Sequence, residues 1–263
     1  MNTCKINGVE IPLTHQEEVV IDQSTDIAIA VDIQGAFLLG GGLPVPDGES
    51  IVGPAAKLLK KFERRAATID VHIPGSVSLC SSYRNVAPNT LLTEELIADW
   101  TEENLAPHAL FDVVNLKNLL SSGKTQVAWN DHALIGTPQT NLAMRFRQIR
   151  FDVKLYKGAV RFPDSYSGFC DNAGKPTGLA KALYRMGVKR VFIFGLAFDF
   201  CVGATALGAV DYETYVVVDL TRAINIPNFI EGRTSAEEMT RKLRATTVRL
   251  ISSQQLAFPK GGK

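Results

Sequence analysis

The chain has little net charge, few cysteines and no long apolar run, and each shortage excludes a class of protein. Its 263 residues carry 28 Lys and Arg against 27 Asp and Glu, a formal net charge of +1. No bulk field therefore draws it to nucleic acid or to an anionic membrane. No stretch approaches the roughly 18–20 consecutive apolar residues that a bilayer span needs. Met1 to Glu18 is polar and lacks the apolar core of a secretory signal. The cysteines are only Cys4, Cys80, Cys170 and Cys201, too few for a disulfide framework and without the paired spacing of a structural zinc site. They read as reduced thiols, small buried hydrophobes unless their neighbours give one of them more to do. Hydrophobic residues at 46% and charged residues at 21% are close to the averages for a soluble globular protein, and a cytoplasmic enzyme or binding protein is expected.

What is present is an alternation. Short β-branched runs at Ile27–Asp32, Ala67–His72, Thr125–Trp129, Phe151–Tyr156, Arg190–Gly195 and Tyr215–Leu220 read as strands. Between and after them, Ile51–Arg64, Gln139–Arg147, Gly178–Met186, Cys201–Val210 and Ser235–Ala245 read as helices, with Lys60-Lys61 and Arg64-Arg65 on a solvated helical face. Continuous apolar strands alternating with helices predict a parallel sheet covered on both faces. The expected fold is a three-layer α/β/α domain with a six-stranded, mainly parallel sheet. Tyr83–Ser122 is too long for a simple crossover and predicts a small helical insertion, a lid or an interface lobe on a single domain spanning residues 1–263. The basic tail after Phe258 reads as frayed.

In open α/β sheets the ligand sits beyond the carboxyl ends of the strands. Asp32, Asp70, His72, Trp129, His132, Lys157 and Cys201 all fall at or just past such ends. Cys201 is the candidate nucleophile, with Asp199 placed to cap the helix it begins. A thiol in a helix's first turn lies at the positive end of the dipole, which favours the thiolate and leaves backbone N–H groups for an oxyanion. Asp32 is placed to take the thiol proton, and Lys157 to hold that carboxylate ionised.

Several segments resemble one family in its own order. Asp32-Ile33-Gln34-Gly35-Ala36-Phe37 resembles a D-x-Q-x-x-F opening, and Trp129-Asn130-Asp131-His132 with Gly136-Thr137 resembles W-P-x-H-x-x-x-G-T, Asn130 replacing the proline. Tyr156-Lys157-Gly158 with Asp164-Ser165-Tyr166-Ser167-Gly168-Phe169 is similar to a lysine motif, and Gly195 to Val202 resembles G-x-A-T-D-x-C-V. These are segments of nicotinamidases and related cysteine hydrolases of the isochorismatase-like superfamily.

The resemblance implies a catalytic triad of Asp32, Lys157 and Cys201, and an oxyanion hole from the Ala197 and Cys201 backbone. Phe37 and Trp129 would sandwich an aromatic carboxamide, hydrolysed to acid and ammonia through a thioester. It also implies a divalent metal (zinc, manganese or iron) on Asp70, His72 and His132, with Ser76 where relatives place a fourth, histidine ligand. Relatives often assemble as dimers or tetramers, so a homo-oligomer is expected, with a small-molecule substrate and no nucleic-acid or membrane partner. Phe198 in place of the usual threonine is expected to reshape the pocket wall. The alternatives are a related carbamoyl or amide hydrolase with another substrate, and a non-catalytic paralogue that binds a small aromatic ligand.

Overall fold

The computed structural model describes residues 2–259, so Lys260–Lys263 of the basic tail lie outside the described residues. The chain opens with a hairpin, β1 (Thr3–Ile6) and β2 (Val9–Pro12), joined by Asn7 and Gly8. Both turn residues have positive φ, 46° and 85°, as a two-residue type I′ turn requires. After β3 (Val19–Val20) come β4 (Asp26–Val31), α1 (Glu49–Leu59) and β5 (Arg64–Asp70). An excursion follows, containing β6 (Thr90–Leu92), α2 (Glu94–Ile97), α3 (Val113–Ser121) and β7 (Gln126–Ala128). The chain then runs through α4 (Met144–Arg147), β8 (Val153–Lys157), α5 (Leu179–Arg185), β9 (Arg190–Leu196) and α6 (Gly203–Gly208). It closes with β10 (Glu213–Arg222), α7 (Ser235–Arg244), β11 (Arg249–Ile251) and β12 (Leu256–Ala257).

The main sheet has six strands in the order β11-β10-β9-β4-β5-β8, and every pairing in it is parallel. Its central strands are apolar on both faces because both are covered. Ala28, Ala30, Phe192, Phe194 and Val217 pack with Ile51, Ala55 and Leu59 of α1. The alternate residues Ile27, Ile29, Val191, Ile193 and Val216 pack with Leu179, Leu183, Ala206 and Leu243 of α5, α6 and α7. Each such aliphatic side chain contributes about 1.5–3 kcal/mol when fully buried, so the period-two pattern fixes the three layers.

The strand count is as expected, but one member differs. Thr125–Trp129 does not join the main sheet; β7 pairs antiparallel with β6 in a separate two-stranded ribbon. The sixth place goes to β11, parallel to β10 at the opposite edge. The ribbon belongs to a small core of its own, where Val77, Tyr83, Leu92, Ile97, Leu116 and Ala128 cluster. The insertion is therefore mixed rather than purely helical. Arg64 and Arg65 also differ from expectation, because α1 ends at Leu59 and both arginines open β5. Arg65 Nε donates to the Leu59 and Phe62 carbonyls (3.0 and 2.7 Å), satisfying acceptors left free where the helix ends.

Candidate active site

The site forms where β4, β5, β8 and β9 end side by side. Gly195 lets the two central strands meet there: its φ is +131°, and a Cβ would lie 2.0 Å from the Val31 carbonyl oxygen. Asp32 follows β4 with φ +49°, a left-handed conformation that Asp tolerates better than most residues. Two residues on, Gln34 locks β4 to β5. Its Nε2 donates to the Asp70 carbonyl (2.9 Å), and its Oε1 accepts the Asp70 N–H (2.7 Å). That reciprocal pair gives the glutamine of the first motif a physical task.

Lys157, the last residue of β8, is 3% exposed. Its Nζ lies 2.9 Å from Asp32 Oδ2 and 2.9 Å from Asp70 Oδ1. It also donates to the Ser165 carbonyl (3.1 Å) and lies 3.4 Å from Cys201 Sγ. Thr68 Oγ1, from the middle of β5, donates to Asp32 Oδ1 at 2.6 Å, a contact that no motif spacing announces. Burial disfavours the ammonium, but the two carboxylates outweigh it and hold the Lys157 pKa well above its ordinary value. For Asp32, burial and the nearby Asp70 outweigh Lys157 and push the carboxyl up.

Cys201 lies in a tight turn, Phe198–Val202, in which the Val202 N–H reaches back five residues to the Ala197 carbonyl at 3.0 Å. The turn leads into α6, and the peptide before Ala197 is cis. The thiolate expected from a helix start does not hold at rest. Burial, then the Asp32 and Asp70 carboxylates, push the thiol well above its usual pKa despite Lys157. Asp199 does not cap the helix either. It is buried, and its carboxylate accepts Ile224 N–H (3.0 Å), Asn225 N–H (2.8 Å) and Ser235 Oγ–H (2.6 Å), tying the cysteine turn to the loop after β10 and to the start of α7.

These groups border a cavity lined by Cys201, Ala197, Asp70, His72 and His132 and by an apolar wall that includes Phe37, Trp129, Tyr166 and Phe200. Phe37 tilts against His132 (centroids 5.5 Å apart), and Trp129 meets Phe200 edge to face at 4.6 Å. The Tyr166 hydroxyl oxygen accepts Trp129 Nε1–H at 3.1 Å. Phe198 does not shape this wall: it is fully buried in the opposite layer with Val202 and Met239, and Phe200 takes the wall position. Among the described residues, none of 83–122 lines the cavity.

Asp70, His72 and His132 present ligand atoms within 4.8 Å of one another, all buried. Asp70 divides its carboxylate, with Oδ1 on Lys157 and Oδ2 at 2.9 Å from His72 Nε2 and 3.3 Å from His132 Nε2. Burial opposes ionisation of Asp70, but His72, Lys157 and His132 hold its pKa well below the ordinary range. The His132 Nδ1 lies 2.8 Å from the Asn130 carbonyl, which can only accept, so Nδ1 carries the proton. That leaves Nε2, 3.3 Å from Asp70 Oδ2, as the atom with which His132 would ligate an ion. One carboxylate and two imidazoles, with no thiolate, fit a divalent ion. Ser76, at the expected fourth position, is buried but not among the cavity residues; Ser78, two residues on, lines the cavity with an unpartnered Oγ. Asn130 anchors its loop by donating Nδ2–H to the Gly42 carbonyl (2.6 Å).

A parallel three-layer sheet with a Cys–Lys–Asp cluster at its carboxyl edge defines a cysteine hydrolase of the isochorismatase-like type. No protein-family model matches the chain. It is 30% identical to the nicotinamidase of Schizosaccharomyces pombe over 201 residues, 74% of this chain and 81% of that protein. The chain belongs to the nicotinamidase family. Its fold superposes on the Acinetobacter baumanii nicotinamidase/pyrazinamidase with a TM-score of 0.71 at 25% identity, covering 88% of this chain and 97% of that one. A PnC1 from L. infantum, solved in complex with nicotinate, gives 0.67 at 25% identity over 91% and 98% of the two chains.

Proposed function

We propose that this chain hydrolyses nicotinamide, and aromatic carboxamides of similar shape such as pyrazinamide, to the carboxylic acid and ammonia. The observation that carries this reading is the Lys157 ammonium, 2.9 Å from Asp32 and 3.4 Å from Cys201 Sγ, beside an aromatic-walled cavity. Cys201 Sγ attacks the carboxamide carbon while its proton passes to Asp32. The proton moves with the attack, because burial keeps the resting thiol neutral. The tetrahedral oxyanion faces the Ala197 and Cys201 N–H groups. Asp32 returns the proton to the amide nitrogen, the C–N bond breaks, and ammonia leaves a thioester. Water adds to the thioester carbon as Asp32 takes its proton; the C–S bond breaks and the thiolate recovers that proton. Lys157 keeps Asp32 ionised between steps.

Phe37 and Trp129, with Phe200 and Tyr166, hold the planar ring. Asp70, His72 and His132 would hold a divalent ion of zinc, manganese or iron, which supplies a Lewis acid for the ring nitrogen when bound. No helix among the described residues is long and apolar enough to cross a membrane. The four free thiols fit a cytoplasmic setting, and the expected homo-oligomer has residues 83–122 free to serve as a contact lobe. The test is ammonia release from nicotinamide by metal-supplied protein. Turnover should fall at least about 10³-fold in Cys201→Ala. Undiminished turnover in that variant, or none in the parent protein, would refute the reading.

A further inference from the structure

We propose that Asp164 is the outer anchor of the divalent-ion site, its free Oδ2 accepting a hydrogen bond from water carried by an ion on Asp70, His72 and His132. This rests on the divalent-ion part of the reading above. Asp164 is 3% exposed and lines the same cavity as those three residues. Its Oδ1 accepts the Ser165 N–H at 2.6 Å, while its Oδ2 is buried with no partner. An orphaned carboxylate oxygen in so dry a place is expensive, and it persists where something that enters the cavity satisfies it. Lys157 is not that partner, because its ammonium is engaged by Asp32, Asp70 and the Ser165 carbonyl.

The charge count points the same way. Asp32, Asp70 and Asp164 set three carboxylates against one ammonium, and both histidines are neutral when they act as ligands. The balance is two negative charges, which a divalent ion cancels and a neutral carboxamide does not. Asp164 lines the cavity together with Asp70, His72 and His132, whereas Asp32 is not among the lining residues. Three protein donors leave positions for water on a zinc, manganese or iron ion. Such water is a strong hydrogen-bond donor that needs an acceptor of this kind.

The test strips the protein with a chelator and titrates it with Mn²⁺ alone against a chromophoric competitor. Asp164→Asn keeps an oxygen for the Ser165 N–H but puts an NH₂ group, which cannot accept, in place of Oδ2. Its Mn²⁺ Kd should rise about 10–100-fold. The ion-free variant should unfold at the same temperature as the ion-free parent or higher, since an unpaired buried charge is gone. The Tm gain on adding Mn²⁺ should shrink with the affinity. Asp164→Ala should lose ion affinity in the same direction. An Mn²⁺ Kd within twofold of the parent overturns the proposal. If KM for nicotinamide rises while the Kd stays put, Oδ2 belongs to the substrate; a lower ion-free Tm with unchanged Kd makes Asp164 a scaffold residue only. A parent protein that takes up no Mn²⁺ also overturns it, yet leaves ammonia release by Cys201 to be judged on its own assay.

Discussion

Replacing Lys157 by methionine keeps an unbranched stem as far as Cε and deletes one charge from the centre of the site. Asp32 and Asp70 each lose a partner at 2.9 Å, and both carboxylates are buried. Removing one member of a buried ion pair costs about 3–5 kcal/mol, because the charges left behind are uncompensated. With an unfolding entropy of about 2.1 cal/mol/K per residue, a loss of that size over the whole chain lowers Tm by roughly 5–9 °C. The loss should depend on pH in a definite sense. Asp32 has a raised pKa in the folded protein even with Lys157 present, and burial is the main cause. Without the lysine it rises further, so the folded variant binds a proton that the unfolded chain gives up. Stability then increases as pH falls through the folded pKa toward the unfolded one, and the penalty is greatest above the folded pKa. Thermal unfolding of chelator-treated parent and Lys157→Met proteins between pH 8 and pH 5 should show a gap that narrows on acidification. A gap below about 1 kcal/mol at pH 8, or one that widens in acid, would refute the ion-pair account of Lys157.

Two further outcomes follow from the cysteine turn. Because burial holds the Cys201 thiol well above its usual pKa, its alkylation by iodoacetamide in metal-free protein should still accelerate as pH passes 9; a rate that levels off near pH 7 would contradict this. Asp199→Ala strands the N–H groups of Ile224 and Asn225 and the Ser235 hydroxyl, for a loss of about 3 kcal/mol in urea unfolding. It should also raise KM for nicotinamide, since Ile224 lines the cavity; unchanged stability and KM would show that this clamp is dispensable.

The cluster of Asp32, Lys157 and Cys201 was legible because each ends a strand or follows one, and strand ends converge by topology alone. The same holds for Asp70 and His72, whereas His132 follows β7 outside the main sheet and is brought in where the His72 N–H donates to the Ala133 carbonyl (2.8 Å). Side-chain direction was not legible. Phe198 and Phe200 sit two apart in a five-residue turn, and only the turn's winding decides that the first enters the layer beneath and the second faces the cavity. Asp199 resembles a cap in sequence, yet its partners come from Ile224, Asn225 and Ser235, which no local pattern predicts. Placing Thr125–Trp129 in the main sheet failed for a related reason. Val127 and Ala128 are as buried as any sheet residue, but their partner Thr90–Leu92 sits inside the insertion. Arg249–Ile251 is only three residues long, and Tyr215–Val217 beside it makes it a strand. Burial is written in composition, whereas the choice of partner is a property of the assembled chain.

The hairpin turn at Asn7 has a bearing on how the protein is made. Asn7 Nδ2 donates to the Pro46 carbonyl at 2.7 Å, and its Oδ1 accepts the Ala223 N–H at 2.6 Å. Leu43 and Ile224, close to those two anchor points, both line the cavity. The Asn7 side chain thus waits for a segment made 216 residues later before the cavity rim can close. Asp32 likewise precedes Cys201 by roughly 170 residues, about 10–30 s of synthesis at 5–20 residues per second. Throughout that interval the nascent chain carries a base without a nucleophile, so chemistry begins only once its distant segments have met.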